Sequence, residues 1–387
     1  MTTTIDNEQK TLNVPNLRFP EFEGEWEEHY LSDYLDFKNG LNPKPERFGK
    51  GIRFISVMDI LNNAVITNDC IRASVDVSEE ELLSFCVENG DILFQRSSET
   101  LEDVGRANVY MDNKPAVFGG FVIRGKKKAE YDPLFFRYLL ASPFARKKII
   151  PMGAGAQHFN IGQEGLNKVK LHFALLDEQK KIARLLSLLD ERIAIQNKII
   201  EKLQSLIKGL RVHLTQKTDG YIVYLSEIAK IYQPQTISLS EFTEEGYLVY
   251  GANGIIGKYR EYNHRTEQIC ITCRGNTCGM VNYTKPKSWI TGNAMIVNTD
   301  DYQDKICKRY LYHYLSTYNF NSIISGSGQP QIVRSPLEKL KVKLPAILKQ
   351  KQIATFLDKL QNQIEINNNI LHLYLQQKQY LFRQMFI

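Results

Sequence analysis

The chain has 387 residues, of which 43% are hydrophobic and 24% charged, and its net charge is +6. This length and balance predict two or three domains with cores of their own and exclude collagen-like and disordered classes. The segment 1–10 lacks the basic-then-apolar layout of a secretory signal, no apolar run is long enough to cross a membrane, and there are only six cysteines, so a reducing cytoplasm is expected. The mild positive charge permits nucleic-acid binding without requiring it.

Residues 1–152 are predicted to form a β-rich domain whose first 14 residues are disordered. Short apolar runs bounded by turn signals predict its strands at Arg53–Val57, Asp91–Phe94 and Ala116–Ile123. A short helix is expected around Pro133–Lys148. The spacing of the runs favours a mixed or antiparallel sheet over β-α-β units.

A first connecting block, residues 153–214, is predicted to contain a long helix from about Glu178. An apolar side chain recurs every seven residues along it, at Ile182, Leu189, Leu203 and Leu210. This period is typical of a coiled coil. Two ordinary amphipathic helices, each packed on a separate core, remain the alternative for this helix and its counterpart below.

The second half has the same plan. Residues 215–325 are predicted to form another β-rich domain, with a short helix around Asp304–Ile323. Residues 326–387 form a second connecting block with a long helix from about Lys349. The seven-residue register of this helix is carried by Ile353, Leu360, Tyr374 and Leu381. Matched length and register favour pairing of the two helices with each other.

The two halves are an internal repeat. Asp177–Ala183 returns as Leu348–Ala354 at a displacement of 171 residues. Upstream, Gly153-Ala-Gly155 aligns with Gly326-Ser-Gly328 after a small length change, and Ile92–Arg96 aligns with Cys270–Arg274. The fold class predicted is therefore α+β, with two β-rich domains joined by two long helices in an antiparallel coiled coil and a pseudo-twofold repeat.

One polar residue interrupts the apolar seam of each long helix, namely Gln196 in the first and Asn367 in the second. They are equivalent at the same displacement of 171 residues and lie near the helix midpoints. In an antiparallel pair only midpoint residues face their own equivalents. The two amides are therefore predicted to bond each other and to fix the register.

Motifs for catalysis and for metal binding are missing from the sequence. It has no phosphate-binding glycine loop, no His-Glu-x-x-His, and no Asn/Asp-Pro-Pro-aromatic loop of amino-methyltransferases. Cys270 and Cys273, with Cys278 nearby, could suggest zinc, but no second Cys or His pair follows at the spacing of a zinc finger. A strand through Cys270–Cys273 would also point the two thiols to opposite faces. No catalytic residue, no metal site and no bound cofactor are predicted for this chain.

Polar, basic and glycine-rich turns occur at corresponding places in both halves. Arg can contact guanine O6 and N7 in bidentate fashion, and Asn or Gln can do the same with adenine N6 and N7. The candidate DNA-binding residues are Lys38, Asn39, Arg96, Ser97, Ser98, Gln157, His158 and Asn160 in the first half, and Tyr250, Asn253, Arg274, Asn276, Thr277, Gln329 and Gln331 in the second. Arg96 and Arg274 follow strands taken as equivalent, so they are the strongest candidates. The basic runs Arg124–Lys128 and Arg146–Lys148 are predicted to be solvated faces or phosphate contacts.

The opening segment Leu17-Arg-Phe-Pro-Glu-Phe-Glu-Gly-Glu-Trp26 and the doubled block ending in Glu178-Gln-Lys-Lys-Ile-Ala183 resemble the DNA-specificity subunit of bacterial type I restriction–modification systems. The resemblance covers almost the whole chain. It implies two target-recognition domains, each reading half of a split double-stranded DNA site, held by two central helices. It also implies two modification subunits that use S-adenosylmethionine and restriction subunits that use ATP and Mg²⁺, in a system for defence against foreign DNA.

The second block departs from the first in reading Lys349-Gln350 where the first reads Glu178-Gln179. Two alternatives to a specificity subunit remain at this point. One is a fragment of a fused restriction–methylation enzyme, which the lack of nuclease and methyltransferase motifs disfavours. The other is a pseudo-symmetric scaffold whose turns bind protein, which would lack the steep salt dependence of DNA binding.

Overall fold

The computed structural model describes residues 13–252, 254–326 and 328–387, which form two compact units. Unit 1 comprises the described residues up to Ile195 together with Leu371–Ile387, and unit 2 comprises Gln196–Ile370. Most of the segment predicted to be disordered, 1–14, lies outside the described residues. Residues 13 and 14 are described, and the Asn13 carbonyl accepts a hydrogen bond from the Trp26 main-chain N–H at 2.8 Å.

Two long helices and several short ones make up the helical part of the chain. In chain order they are α1 (Leu31–Tyr34), α2 (Val57–Asn62), α3 (Glu79–Phe85), α4 (Pro133–Ala141), α5 (Pro143–Ile149), α6 (Gln163–Asn167), α7 (Leu176–Gln216), α8 (Lys308–Leu315), α9 (Arg334–Glu338) and α10 (Ile347–Gln384). The single helix predicted at 133–148 is divided because Ser142 and Pro143 end one helix and begin the next. Ser142 Oγ accepts the Ala145 N–H and so caps α5. In the described part of the chain no helix combines the length and apolar character of a membrane span.

Short strands fill the segments between these helices. In unit 1 they are β1 (Glu27–Tyr30), β2 (Leu35–Asn39), β3 (Phe48–Ile55), β4 (Ser74–Val75), β5 (Ile92–Gln95), β6 (Ser97–Ser98), β7 (Ala107–Val109), β8 (Ala116–Phe118), β9 (Val122–Lys127), β10 (Phe159–Asn160) and β11 (Lys170–Phe173). In unit 2 they are β12 (Tyr221–Tyr224), β13 (Lys230–Tyr232), β14 (Tyr247–Gly251), β15 (Gly254–Tyr259), β16 (Ile269–Thr272), β17 (Val281–Tyr283), β18 (Trp289–Ile290), β19 (Ala294–Asn298) and β20 (Lys341–Leu344).

Three sheets of unit 1 have counterparts in unit 2, while the pair β6-β10 of unit 1 corresponds to isolated β-bridges in unit 2. Unit 1 has a four-stranded antiparallel sheet in the order β2-β9-β5-β7, and unit 2 has one in the order β13-β19-β16-β17. Each unit adds a three-stranded sheet, β4-β3-β8 or β15-β14-β18, that contains one parallel pair. A two-stranded pair, β1-β11 or β12-β20, lies next to the long helix. The predicted α+β class, mixed sheets and internal repeat are confirmed.

The long helices close the core of each unit. In unit 1, Ile182, Leu186 and Leu189 of α7 pack in one buried cluster with Leu381 of α10 and with Met385, which directly follows that helix. In unit 2, Leu203, Ile207 and Leu210 of α7 pack with Ile353, Leu357 and Ile364 of α10. The helices run antiparallel, since Gln196 contacts Asn367 while Arg211, farther along α7, contacts Gln361, which is earlier in α10. The predicted seven-residue register is the buried seam of this pair.

The polar interruption of the seam is a bonded amide pair within unit 2. Gln196 is 7% exposed, and its Nε2 donates to Asn367 Oδ1 at 2.7 Å and to the Asn367 carbonyl at 3.0 Å. Asn367 Nδ2 donates to Gln363 O. The two midpoint amides are therefore hydrogen-bonded to each other through the Gln196 donor, and a polar contact of this kind within an apolar seam favours one register over slipped ones. That it fixes the register stays a prediction.

A buried glutamine in the first turn of each long helix holds a short helix in place. Gln179 Oε1 accepts the Asp132 main-chain N–H at 3.0 Å, just before α4, and its Nε2 donates to Ala174 O. Gln350 does the same before α8, accepting the Cys307 N–H at 2.9 Å and donating to Pro345 O. Each glutamine thus pins the start of the helix that packs between the sheet and the long helices.

The neighbouring position differs between the units because only unit 1 carries an N-terminal segment. Glu178 is buried and accepts two hydrogen bonds from the Arg18 guanidinium, at 2.8 and 2.7 Å. The corresponding Lys349 in unit 2 is exposed. The departure Lys349-Gln350 therefore alters the ion pair with the N-terminal segment and leaves the glutamine contact intact.

Unit 2 also contains an ionic cluster between α7, α8 and α10, built around a buried histidine. His313 is fully buried, and its Nε2 lies 2.8 Å from Asp358 Oδ1 while its Nδ1 accepts from Arg211 Nε at 3.1 Å. Arg309 binds the same Asp358 carboxylate with two N–H groups. Because Nδ1 faces an arginine donor, the imidazole is neutral and donates through Nε2.

We expect unit 2 to lose stability as the pH falls below about 6.5. Burial, together with the charges of Arg211 and Arg309, lowers the pKa of His313, and burial lowers the pKa of His264. A histidine with a depressed folded-state pKa stabilises the fold above its unfolded pKa and loses that contribution as the pH falls, by at most about 1.4 kcal/mol per pH unit per group. Hydrogen exchange of α8 between pH 7.5 and 5 measures this.

His313→Gln should reduce the pH dependence and leave the part due to His264, whereas His158→Gln, at an exposed site of unit 1, should leave it unchanged. An α8 whose protection is equally pH-dependent in wild type and His313→Gln would contradict the assignment.

Candidate nucleic-acid interface

In unit 1, two polar turns that are distant in sequence meet at the end of the four-stranded sheet. Ser97–Ser98 pair with Phe159–Asn160 as β6 and β10, and Ser97 Oγ donates to Asn160 Oδ1. The Ile161 N–H donates to Arg96 O at 2.9 Å. The structure therefore brings together two of the candidate groups that the sequence presented separately.

The loop that carries Gln157 and His158 is a tight hairpin. Ala154 and Asn160 exchange two main-chain hydrogen bonds, both of 2.9 Å. Gly155 has φ +147°, and a Cβ there would lie 2.0 Å from His158 O, so only glycine fits. Gln157, His158 and Asn160 are exposed on this hairpin.

Unit 2 builds the same hairpin from a different sequence. Ser325 and Gln331 exchange main-chain hydrogen bonds of 2.9 and 2.8 Å, and Gly326, at φ +93°, takes the place of Gly155. Arg274 forms a β-bridge with Gln331. Ala154 thus corresponds to Ser325 and Asn160 to Gln331. The small length change predicted between the glycine turns is therefore wrong, and Gly155 aligns with Gly326.

The predicted equivalence of Arg96 and Arg274 is also wrong, by one residue. Ser97 lies opposite Asn160 and Arg274 lies opposite Gln331, so Arg274 corresponds to Ser97. Arg96 corresponds to Cys273, because the Ile161 and Ile332 N–H groups donate to Arg96 O and Cys273 O respectively. Successive residues of an extended chain point to opposite sides, so the two arginines do not project in the same way.

Their surroundings differ accordingly. Arg96 is half-buried, and its Nη1 donates to Gly120 O at 3.2 Å, so it supports a neighbouring turn. Arg274 is exposed, as is Asn276 two residues later. Of the other candidates in unit 2, Gln329 is exposed while Thr277 and Gln331 are half-buried.

Two candidates are engaged inside their own units. Lys38 Nζ donates to the carbonyl and hydroxyl oxygens of Ser84 and lies 4.7 Å from the Phe85 ring. Tyr250 is buried, and its hydroxyl accepts the Lys285 main-chain N–H at 3.1 Å. Neither side chain projects as a reading group. Asn253 lies outside the described residues.

The remaining candidates of unit 1 are open to a ligand. Asn39 is exposed at the end of β2, and Ser98 is half-buried, with its hydroxyl accepting the Thr100 N–H at 3.2 Å. Polar side chains on short, glycine-fixed turns can contact base edges or phosphates.

The basic runs are divided between core and surface. Arg124 is buried over the Phe118 ring and donates to Cys86 O. Arg146 donates to Glu102 O and Val104 O, and burial together with the charge of Arg106 lowers the pKa of Arg146 to about 10. These two arginines support loops rather than face solvent, which corrects that part of the prediction, while Lys147 and Lys148 are exposed as predicted.

The cysteines occupy separate environments. Cys270 belongs to one buried cluster and Cys273 to another, on opposite faces of the strand as predicted. Burial raises the pKa of the Cys270 thiol to about 12. Within the described ranges, no group of three or more His, Cys, Asp and Glu side chains is arranged to hold a metal ion.

Two further exposed residues, Phe121 and Asn293, lie beside these turns and were not predicted from the sequence. Phe121 O accepts the Arg96 N–H at 2.9 Å, and Asn293 O accepts the Cys273 N–H at 3.1 Å. Both are exposed. The glycines before them, Gly119-Gly120 and Gly292, are the only local hint, and a glycine alone does not identify the residue that follows it.

Comparison with known proteins agrees with this duplicated architecture. The model of the type I restriction modification DNA specificity domain matches residues 23–205 and again 221–373. A putative type I restriction enzyme MjaX specificity subunit of Methanocaldococcus jannaschii is 25% identical over 92% of each chain. The EcoprrI specificity subunit of Escherichia coli is 34% identical over 37% of this chain and 36% of its own.

Among solved structures, the type I restriction-modification S subunit from M. genitalium superposes with a TM-score of 0.67 at 17% identity, covering 97% of this chain and 99% of that one. A chain from a study of complex assembly and conformational transition of the type I R-M system gives a TM-score of 0.57 over 92% of this chain and 96% of that one, at 14% identity. These likenesses concern the fold. With two matched specificity domains across most of its length, the chain belongs to the type I restriction–modification DNA specificity family and is a specificity subunit with two DNA specificity domains.

Proposed function

We propose that this chain recognises a bipartite site in double-stranded DNA, with one half-site read by each unit. The observation that carries the proposal is the hairpin that recurs at the end of the central sheet in both units. Both units present a hairpin with a glycine of positive φ, bridged to the end of the central sheet, and the exposed side chains on it differ between units. A shared scaffold with different side chains is what two different half-sites require.

The exposed groups have the chemistry of base readout. Unit 1 offers Asn39, Gln157, His158 and Asn160, and unit 2 offers Arg274, Asn276 and Gln329. Amides match adenine and a guanidinium matches guanine in the major groove.

The long helices offer a surface for partner subunits. Ile195 on α7 is 57% exposed and Ile366 on α10 is 41% exposed. They are equivalent under the internal repeat, as are Gln196 and Asn367 beside them. Two equivalent apolar positions support the binding of two modification subunits, one for each half of the repeat, with restriction subunits joining the resulting complex.

Catalysis belongs to those partners in this proposal. The sequence lacks methyltransferase and nuclease motifs. S-adenosylmethionine, ATP and Mg²⁺ are accordingly assigned to the modification and restriction subunits, and this chain binds none of them. Mixing purified chain with S-adenosylmethionine and DNA in the absence of modification subunits should give no methyl transfer, and transfer by the homogeneous chain would overturn this assignment.

Exchange of one domain should change one half of the target. The segment between Gln216, where α7 ends, and Ile347, where α10 begins, forms the β-rich part of unit 2. Replacing 217–346 with the same segment of another specificity subunit should alter one half-site and leave the other unchanged. Mapping the methylated adenines produced by the assembled methyltransferase measures both halves, and a change in both at once would contradict one-unit, one-half-site reading.

A single arginine should dominate part of the second half-site. Arg274→Ala should weaken binding by about 1–3 kcal/mol and relax the preference at one base pair. Arg274→Lys should keep a positive charge near the phosphates and still lose the preference, because a lysine lacks the planar fork. Arg260→Ala, at another exposed arginine of unit 2, is the matched control and should leave the preference intact. Equal loss for all sequences on Arg274→Ala would make Arg274 a phosphate contact.

The helix surface can be tested in the same complex. Ile366→Asp should weaken assembly with the modification subunit, because it places a charge in an apolar contact. Leu83→Asp, at an 84% exposed leucine of α3, is the control and should assemble normally. Light scattering after size-exclusion chromatography gives the stoichiometry, and full assembly of Ile366→Asp would place the modification subunits elsewhere.

A further inference from the structure

A second turn is built by the same hydrogen bonds in both units. In unit 1 it connects β8 to β9, and the Val122 N–H donates to Gly119 O at 2.8 Å. In unit 2 it connects β18 to β19, and the Ala294 N–H donates to Thr291 O at 3.1 Å. The hydrogen bonds to Phe121 O and Asn293 O described above tie each turn to the end of the central strand. The main chains of Phe121 and Asn293 are thus held by equivalent hydrogen bonds.

Close packing fixes these turns from beneath. A Cβ on Gly120 would lie 1.9 Å from Asn42 Oδ1, and a Cβ on Gly292 would lie 2.4 Å from Thr236 Oγ1. A side chain at either glycine would have to displace the Asn42 or Thr236 side chain, so glycine lets each turn approach the loop below it closely. Each turn therefore presents one exposed residue.

The presented residue differs in chemistry between the units. Phe121 is 68% exposed, which is unusual for a phenylalanine beside polar turns. It lines a cavity of about 400 Å³ with Phe48, Phe54 and Met58, and Phe48 and Met58 are themselves exposed. Asn293 is exposed, and its amide has no hydrogen-bond partner among the residues that the structure describes.

We infer that Phe121 and Asn293 are specificity-determining residues: the Phe121 cavity takes the methyl-bearing edge of a thymine in one half-site, and the Asn293 amide reads an adenine in the other. This inference rests on the proposed reading of DNA by the two units. It adds a reading position that neither the polar hairpins nor the arginines supply.

Thymine is the base whose edge fits the cavity. Its C5-methyl group is the apolar feature of the major groove, and phenylalanine is among the side chains that contact it. The cavity adjoins the segment that carries the candidate residues, because the Arg96 main-chain N–H and guanidinium donate to Phe121 O and Gly120 O. Exposed Lys44, next to Pro43 of the cavity rim, supplies a positive charge for the adjoining phosphates.

Adenine is the base that an unpaired amide reads best. Asn can donate to N7 and accept from the N6 amino group at once, and this bidentate pair discriminates against the other bases. At the equivalent backbone position, unit 2 therefore makes a polar contact where unit 1 makes an apolar one.

The thymine arm is tested with duplexes that carry the site mapped by methylation. Each thymine of the half-site read by unit 1 is replaced singly by deoxyuridine, which lacks only the methyl group. Binding of the assembled methyltransferase should weaken about three- to fivefold at one position, the effect of one buried methyl group. Phe121→Ala should abolish that difference between thymine and uracil, while Phe144→Ala, at a partly exposed phenylalanine of α5, should preserve it.

The adenine arm uses 7-deazaadenine, which lacks N7, at each adenine of the other half-site. One position should weaken wild-type binding by roughly 5- to 150-fold, and Asn293→Ala should remove the difference. An undiminished thymine–uracil difference in Phe121→Ala, or an undiminished adenine–deazaadenine difference in Asn293→Ala, would overturn the inference for that unit, and so would a wild type that shows no difference at any position. Failure of the proposed function is a separate result: wild type would then show no preference for any bipartite site.

Discussion

The apolar seam between the two long helices is the contact on which the rest of the structure depends. Each unit closes its core on a stretch of α7 and a stretch of α10 running in opposite directions. The buried glutamines Gln179 and Gln350 connect that seam to the sheets by holding the short helices α4 and α8 at their starts. The central sheets, and the turns at their ends, are therefore positioned by the helices.

The parts of the fold that the sequence predicts best are those with a strong period. Seven-residue spacing identified both long helices because the register residues lie along the seam, buried at Ile182 and Ile353 and half-buried at positions such as Leu360. The repeat of 171 residues predicted the antiparallel pairing and the meeting of Gln196 with Asn367. Strand positions were also predictable, because their apolar runs are short and bounded by turn residues.

Short sequence motifs did not predict the strand register within the β-rich parts. Aligning Ile92–Arg96 with Cys270–Arg274 appeared natural because both end in arginine, and hydrogen bonding shows that Ser97 corresponds to Arg274. A shift of one residue reverses the side to which a side chain points. The burial of polar groups was equally hard to predict, because the Tyr250 hydroxyl and the Lys38 ammonium group find partners inside the fold that are distant in sequence. Phe121 was missed for the opposite reason, because an apolar residue in an apolar run looks like core.

Synthesis of the chain imposes an order on its folding. Unit 2 is one continuous segment, whereas the core of unit 1 includes Leu381, Met385 and Phe386, and the Leu17 N–H donates to Gln384 O. A ribosome releases residues in numerical order, and domains generally fold as units as they emerge. The domain translated second can thus close its core first. The domain translated first cannot complete its core until the end of α10 has left the ribosome, so part of its apolar surface stays uncovered for longer than that of unit 2.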